Sequence, residues 1–359
     1  MHNVAIKKKS PFRFTLPEEL GAKQPPELRG INRDQVKLLV TDRKNGNTFH
    51  STFIHLSDFL KKGDLLVFNS SRTLPASLKT RKSRKQLNLE IRLAEHLPDD
   101  SWLVLFLDEK GNPYFKSLKA GLQIEFGSGL SAIVENKDKS NPRLWRIRFS
   151  ETGAAFINLI YQIGQPIHYD YVSANFPIDY YQTIYAREPG SSEMPSAGRA
   201  FTWKMLFNLK NKGIDTAYLT LHAGLSSYMD VKIDALHLVT EEEYFIPDIT
   251  VNKIADTKAS GGRIVAVGTT VVRALESSVD SNGEIITGHS YTSLKITEKH
   301  ILKIADGILT GLHEPEASHL DLLSAFLKPS LIKASYEEAI IKKYLWHEFG
   351  DLNLIVTLT

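Results

Sequence analysis

The chain has 359 residues, enough for two domains with ample cores, and its 42% hydrophobic and 24% charged content is ordinary for a globular protein. It has no cysteine, which excludes disulfides and thiolate metal sites, and no run nears the roughly 18 apolar residues that would span a bilayer. The net charge of +3 is unevenly spread: residues 1–90 hold 18 Lys and Arg against 8 Asp and Glu, about +10, which leaves about −7 for the rest. A basic amino-terminal quarter is the footprint of a polyanionic partner or of a plain lysine-rich surface. Lys7-Lys8-Lys9 is followed by no apolar segment, so the start does not read as a secretory signal.

Phe12 to Leu20 starts extended and then turns, and Pro25-Pro26 marks a rigid extended piece. Val36 to Thr41 and Thr48 to Phe53 predict a hairpin about Asn45-Gly46, followed by a short helix at His55 to Leu60. Gly63 to Asn69 predicts a turn into a buried strand. Residues 70–150 then read as short strands and turns, the pattern of a small β-barrel: Leu87 to Ala94, Trp102 to Leu107, Leu122 to Phe126, Ser131 to Val134 and Leu144 to Phe149. Lys79, Arg81, Lys82, Arg84 and Lys85 put five cations into seven residues, a phosphate-contacting loop or a charged hairpin tip.

After Phe149 the texture becomes α/β. Ala155 to Gln162 predicts a helix stopped at Gly164. Tyr180 to Thr202 is a structured loop punctuated by two prolines and two glycines. Trp203 to Lys212 predicts a helix, Gly213 its stop, and Ile214 to Leu221 a strand. His222-Ala223-Gly224 falls at that strand's carboxyl end, where open α/β sheets place ligands. Thr250 to Ala259 predicts a helix with Thr250 as a possible cap. Arg263 to Val267 is the clearest buried strand, and Gly268-Thr269-Thr270 turns it into a helix from Val271 to Ser278, a geometry that presents free N–H groups to an anion. A short apolar strand then runs into His313, and helices are expected at Leu320 to Leu327 and Tyr336 to Tyr344. There is no internal repeat, no Walker loop and no three-glycine dinucleotide fingerprint.

The ordered set of motifs resembles the S-adenosylmethionine:tRNA ribosyltransferase-isomerase family of queuosine synthesis. The resemblance rests on Phe14-Thr15-Leu16-Pro17, Gly63 to Arg72, Tyr181 to Ala186, Pro195-Ser196-Ala197-Gly198 and Thr220 to Gly224. It continues through Val265 to Glu276, His313-x-Pro315-Glu316, Ser324-Ala325-Phe326 and Gly350-Asp351. It implies a discontinuous α/β domain, residues 1–69 and 151–359, with a small β-barrel inserted at 70–150. The implied reaction moves and isomerises the ribosyl part of S-adenosylmethionine onto 7-aminomethyl-7-deazaguanine in a tRNA anticodon loop, giving epoxyqueuosine. S-adenosylmethionine is then a co-substrate, no metal is needed, and a cytoplasmic monomer suffices.

That chemistry assigns candidate roles. His222 and His313 handle protons, because histidine titrates near neutrality. Gly268, Thr269, Thr270 and Arg273, with Ser196, Ala197 and Gly198, hold the cofactor. Gln182 meets the base, Tyr181, Tyr185 and Phe201 each either stack on it or belong to the core, and the Lys79 to Lys85 loop meets the tRNA. The chain departs from the family pattern where catalysis is expected. Ala200 and Thr240 replace histidines, which leaves His237 and Glu242 from one element. Arg199 and Glu193 introduce charge, Ser226-Ser227 replaces a glycine-threonine pair, and Ile167-His168-Tyr169-Asp170-Tyr171 replaces a double-proline stretch. These changes raise an alternative: a divergent paralogue with a rebuilt pocket for another nucleobase or nucleoside, or an RNA-binding protein without catalysis.

Overall fold

The computed structural model describes residues 12–81, 88–116, 118–169, 171–234, 236, 241–315 and 317–358. In chain order it begins with β1 (Lys37–Asp42), β2 (Thr48–Thr52), β3 (Leu65–Asn69), β4 (Ser71–Thr73) and β5 (Ser77–Lys79). Next come β6 (Glu90–His96), β7 (Trp102–Leu107), β8 (Gln123–Glu125), β9 (Ser131–Lys137) and β10 (Leu144–Phe149). Helix α1 (Gly153–Ile163) leads to β11 (Glu188–Ser191), α2 (Trp203–Asn211), β12 (Asp215–Leu221), α3 (Val231–Asp234) and β13 (Glu242–Ile246). The last part holds α4 (Asp248–Ala259), β14 (Ile264–Val267), α5 (Thr269–Ser277), β15 (Gly288–Thr292), β16 (Gly307–Gly311), α6 (Ser318–Leu323), α7 (Pro329–Ile341) and β17 (Leu352–Val356).

Two large sheets organise these elements. Nine strands run in the order β15-β13-β12-β3-β14-β16-β17-β1-β2, and β12, β3, β14 and β16 at the centre are mutually parallel. Their side chains alternate between two cores, as the period of two requires. Leu65, Val67, Ile264 and Ala266 face the core that α4, α5 and α7 cover. Leu66, Phe68, Val265 and Val267 face the other, beneath α2. With both faces covered, β14 is apolar throughout and β3 is apolar up to Asn69.

The second sheet is antiparallel, in the order β5-β6-β7-β10-β9-β8, and packs its own core against Phe156 and Ile160 of α1. Its two edges meet where Arg81 N–H, just past β5, donates to Glu125 O on β8 at 2.8 Å. A short parallel pair, β4 with β11, lies between the sheets and ties the Pro189-Gly190 segment to the chain leaving β3.

Several boundaries differ from expectation. Thr250 is not a cap: Pro247 occupies the N-cap of α4, and the Thr250 hydroxyl donates to Tyr218 O at 2.6 Å. Helix α5 starts at Thr269, with Gly268 as its N-cap at φ 100°, a conformation that L side chains rarely adopt. Helix α6 stops at Leu323, where the chain turns toward Pro329. Pro329 starts α7 seven residues earlier than Tyr336.

Candidate active site

The carboxyl ends of the four central parallel strands carry Asn69, Leu221-His222, Gly268 and Gly311-Leu312-His313. At the end of β12, the His222 backbone N–H donates to Glu243 O, which continues the pairing with β13 for one more residue. Its ring Nδ1 lies 2.8 Å from Ser71 Oγ, which lies 2.6 Å from Ser191 Oγ. Ser191 Oγ in turn accepts the Ala223 N–H at 3.0 Å. Gly190 backs the ring: a Cβ there would stand 2.3 Å from Nδ1 and 2.5 Å from Cγ. Burial lowers the pKa of His222, against the opposing pull of Glu243, so the ring is neutral at pH 7.

His222 and Gly190 face a cavity of about 240 Å³ between the two sheets. Glu95, His96 and Trp102 line its far wall, with Phe156 of α1 beside them. Burial pushes Glu95 up to about 8, reinforced by the charges of Glu242, Glu241 and Asp138. A carboxyl whose folded pKa is raised binds more protons folded than unfolded, so stability falls as pH rises from about 4.5 to about 8. The expected result is a Tm lower at pH 8 than at pH 5.5 in the parent, with a smaller difference in Glu95→Gln; equal differences in both proteins would remove Glu95 as the cause.

Asn69 joins the strand ends. Its Nδ2 donates to Leu221 O at 2.8 Å and Thr270 Oγ1 at 3.2 Å, and its Oδ1 accepts from Leu221 N–H and Ser71 N–H, each at 3.0 Å. Both amide hydrogens and both carbonyl lone pairs are used in a residue 1% exposed. We expect Asn69→Ala to cost about 2–4 kcal/mol by urea unfolding, because it orphans buried backbone groups, and to lower turnover by misplacing His222 and Thr270 together. An unchanged midpoint would show that the strand ends do not depend on it.

Beside Thr270, the first-turn N–H groups of α5 have no intrahelical acceptor, as at any helix start. Ala197 approaches this turn: its methyl lies 3.6 Å from where a Gly268 Cβ would be. The segment Ser196–Gly198 and the turn Gly268-Thr269-Thr270 are thus brought together, as half-buried hydroxyls and N–H groups able to hold an anion.

Other expected site residues fall elsewhere. His313 sits at the end of β16, three strand spacings from β12 across β3 and β14, or about 14 Å at ordinary strand spacing. It contacts Thr310 Oγ1 at 2.9 Å and stacks on His319, and burial with the neighbouring His319 holds its pKa well below 6.5. It does not share a cavity with His222. Phe201 is fully buried between Phe53 and Phe68 and is no stacking platform. Tyr181 is buried against Phe349, and Tyr185 packs on Phe68 and Tyr218. The Gln182 amide both donates to and accepts from the Thr73 backbone, so it braces β4.

Arg273 pairs with Glu242 and donates to Leu294 O, while Glu242 accepts the Gly224 N–H; the arginine supports the His222 loop from behind. Arg199 is buried on Glu27. Glu193 is engaged by the Tyr169 hydroxyl and by the Ser226 N–H and hydroxyl, so three of the departures from the family pattern contact one another. Lys79 and Arg81 are exposed at the end of β5. Lys82, Arg84, Lys85, Asp170, His237, Thr240 and Glu316 lie outside the described residues.

Sequence reasoning did not single out Asn69, Ser71, Gly190 or Glu95 as site residues. Asn69-Ser70-Ser71, three polar residues directly after an apolar strand, was the available signal. Among the described residues no group of three or more His, Asp or Glu is placed to hold a metal ion, and no helix is long and apolar enough to cross a membrane.

A half-buried histidine at the carboxyl end of a central parallel strand, facing a cavity that a second sheet closes, is the layout of an α/β enzyme. The profile of the family described as queuosine biosynthesis protein matches residues 9–355. The chain is 33% identical to the S-adenosylmethionine:tRNA ribosyltransferase-isomerase of Thermoanaerobacter sp. (strain X514), covering 97% of this chain and 100% of the relative. It is also 33% identical to the enzyme of that name from Desulforamulus reducens, covering 97% and 99%. The crystal structure of S-adenosylmethionine tRNA ribosyltransferase from Thermotoga maritima is similar with a TM-score of 0.53 at 29% identity, over 97% of this chain and all of that one. The chain belongs to the queuosine biosynthesis protein family.

Proposed function

We propose that this enzyme transfers and isomerises the ribosyl moiety of S-adenosylmethionine onto 7-aminomethyl-7-deazaguanine in tRNA, giving epoxyqueuosine with release of adenine and methionine. The observation that carries the reading is His222, set against Gly190 at the mouth of the cavity between the sheets, in a chain that matches the family from end to end. The residues present suit the co-substrate. The carboxylates of Glu241 to Glu243 on the cavity wall favour a sulfonium cation. The hydroxyls and free N–H groups of Ser196, Thr269 and Thr270 suit a carboxylate. His222 touches the reacting atoms in this reading, and His313 supports the strand ends from outside the cavity.

Residues 70–150 act as an inserted barrel domain on the 1–69 and 151–359 body, and the exposed cations Lys79 and Arg81 at the end of β5 meet the tRNA anticodon loop. A tRNA substrate is consistent with a cytoplasmic enzyme, and one copy of the chain holds every residue named here. Arg199 and Glu193 are held by protein groups, so neither supports a different substrate.

The test is mass spectrometry of a mixture of purified protein, S-adenosylmethionine and tRNA bearing 7-aminomethyl-7-deazaguanine. Adenine release together with epoxyqueuosine in the digested tRNA is the expected result. Cofactor binding by calorimetry with neither product would overturn it.

A further inference from the structure

We infer that Ser71 and Ser191 are positioning residues that hold His222 as its Nε2–H tautomer, so that the ring offers the cavity a hydrogen-bond donor and cannot act there as the general base. The functional half of this inference rests on the cavity being the reaction site; the tautomer itself does not.

Counting hydrogens fixes the tautomer. Ser71 is 1% exposed and Ser191 fully buried, so neither hydroxyl is satisfied by bulk water. Ser191 Oγ accepts from Ala223 N–H, and the two remaining links are Ser191 Oγ to Ser71 Oγ at 2.6 Å and Ser71 Oγ to His222 Nδ1 at 2.8 Å. The two hydroxyls supply one hydrogen each. Ser191 donates to Ser71, Ser71 donates to Nδ1, and both links are made with nothing left over. If Nδ1 carried a proton, three hydrogens would compete for two links. One buried hydroxyl hydrogen would then have no acceptor among the described residues, whichever way the serines turned. An unmade buried hydrogen bond of this kind biases an equilibrium about tenfold or more.

Gly190 keeps the arrangement tight, since the ring lies against it so closely that a side chain there would overlap Nδ1, Cε1 and Cγ. With Nδ1 occupied as an acceptor, Nε2–H is the ring's remaining polar group, on a residue that lines the cavity. A neutral N–H matches an acceptor that gains electron density as a bond breaks, such as a ring nitrogen of the departing purine. Proton abstraction then falls to a carboxylate of the cavity wall.

The decisive measurement is long-range ¹H–¹⁵N correlation of the imidazole nitrogens in ¹⁵N-histidine-labelled protein at pH 8, with His222 assigned by its absence in His222→Gln. The expected pattern is the Nε2–H tautomer in the parent, a rise of about tenfold in the Nδ1–H to Nε2–H ratio in Ser71→Ala, and the parent pattern again in Ser71→Thr. An Nδ1–H parent, or an unchanged ratio in Ser71→Ala, overturns the inference, and the parent spectrum stands even if that variant does not fold. These spectra need no turnover, so they survive a failure of the proposed reaction. Where the reaction is observed, His222→Gln keeps an amide N–H near the Nε2 position and should retain at least about tenfold more kcat than His222→Ala. Equal losses would show that donation is not the role.

Discussion

Gly190→Ala is expected to lower kcat at least about a hundredfold while leaving a folded protein. The added methyl would stand 2.3 to 2.5 Å from three atoms of the His222 ring, well inside contact distance. The neighbour is a side chain, so the imidazole yields before the backbone does. It yields away from Gly190, and any such shift disturbs the 2.8 Å contact of Nδ1 with the Ser71 hydroxyl that orients it. Gly190 is the unpaired residue at an irregularity of the β11–β4 register, and the paired Pro189 and Ser191 on either side limit how far the main chain can retreat. Overpacking of this kind costs about 1–3 kcal/mol, which a chain with three large cores tolerates. Single-turnover kinetics beside circular dichroism and a urea midpoint would separate the two effects. Near-normal turnover in a folded variant would mean that His222 does not need its position, and the site would have to be sought elsewhere on the strand ends.

The elements that sequence patterns located well are those whose signals are local. The strands Trp102–Leu107 and Leu144–Phe149 agree residue for residue with expectation, because each is an apolar or alternating run between turn formers. Helix α2 begins after Thr202, whose hydroxyl accepts the Met205 N–H, the ordinary chemistry of a threonine cap. The carboxyl ends of the parallel strands carry His222, Gly268 and His313, where the strand and turn patterns put them.

The composition of the site was much less legible. The Ser71–His222 contact spans 151 residues and the Ser71–Ser191 contact 120, and no window along the chain shows such pairs. Phe201 illustrates the converse error. An aromatic residue in a polar loop suggests a stacking surface, but the loop folds back and drives it between Phe53 and Phe68. Histidines invite pairing on chemical grounds, yet strand order keeps His222 and His313 apart, and strand order comes from tertiary topology rather than from spacing.

Arg199 leads to the second large effect, an asymmetric one. A charged residue beside a catalytic motif reads as a selector of substrate, but here its side chain is only 3% exposed. The guanidinium donates to Glu27 Oε2 at 2.8 Å and Tyr180 O at 2.7 Å, and lies 5.2 Å from the centre of the Phe349 ring. Glu27 is 29% exposed and has a second partner in Arg33 at 3.1 Å. Removing Glu27 therefore leaves a buried cation without a counter-charge, whereas removing Arg199 leaves a carboxylate that is still paired and partly in water. We expect Glu27→Ala to cost about 3–5 kcal/mol and Arg199→Met clearly less, about 1–3 kcal/mol.

The same pair sets a pH dependence. Burial raises the Glu27 pKa, but the Arg199 hydrogen bond and charge outweigh it, and the net position is below 4.5. A depressed carboxylate stabilises the fold above about pH 4.5 and loses that contribution as pH falls through its folded pKa. Urea midpoints at pH 7 and pH 3.5 would show the gap between parent and Glu27→Ala narrowing in acid. Arg199→Met should keep KM for the tRNA substrate within about threefold, because the arginine acts on the fold through the Tyr180 and Glu27 segments. A large change in KM with an unchanged midpoint would reverse that assignment and return Arg199 to the binding surface.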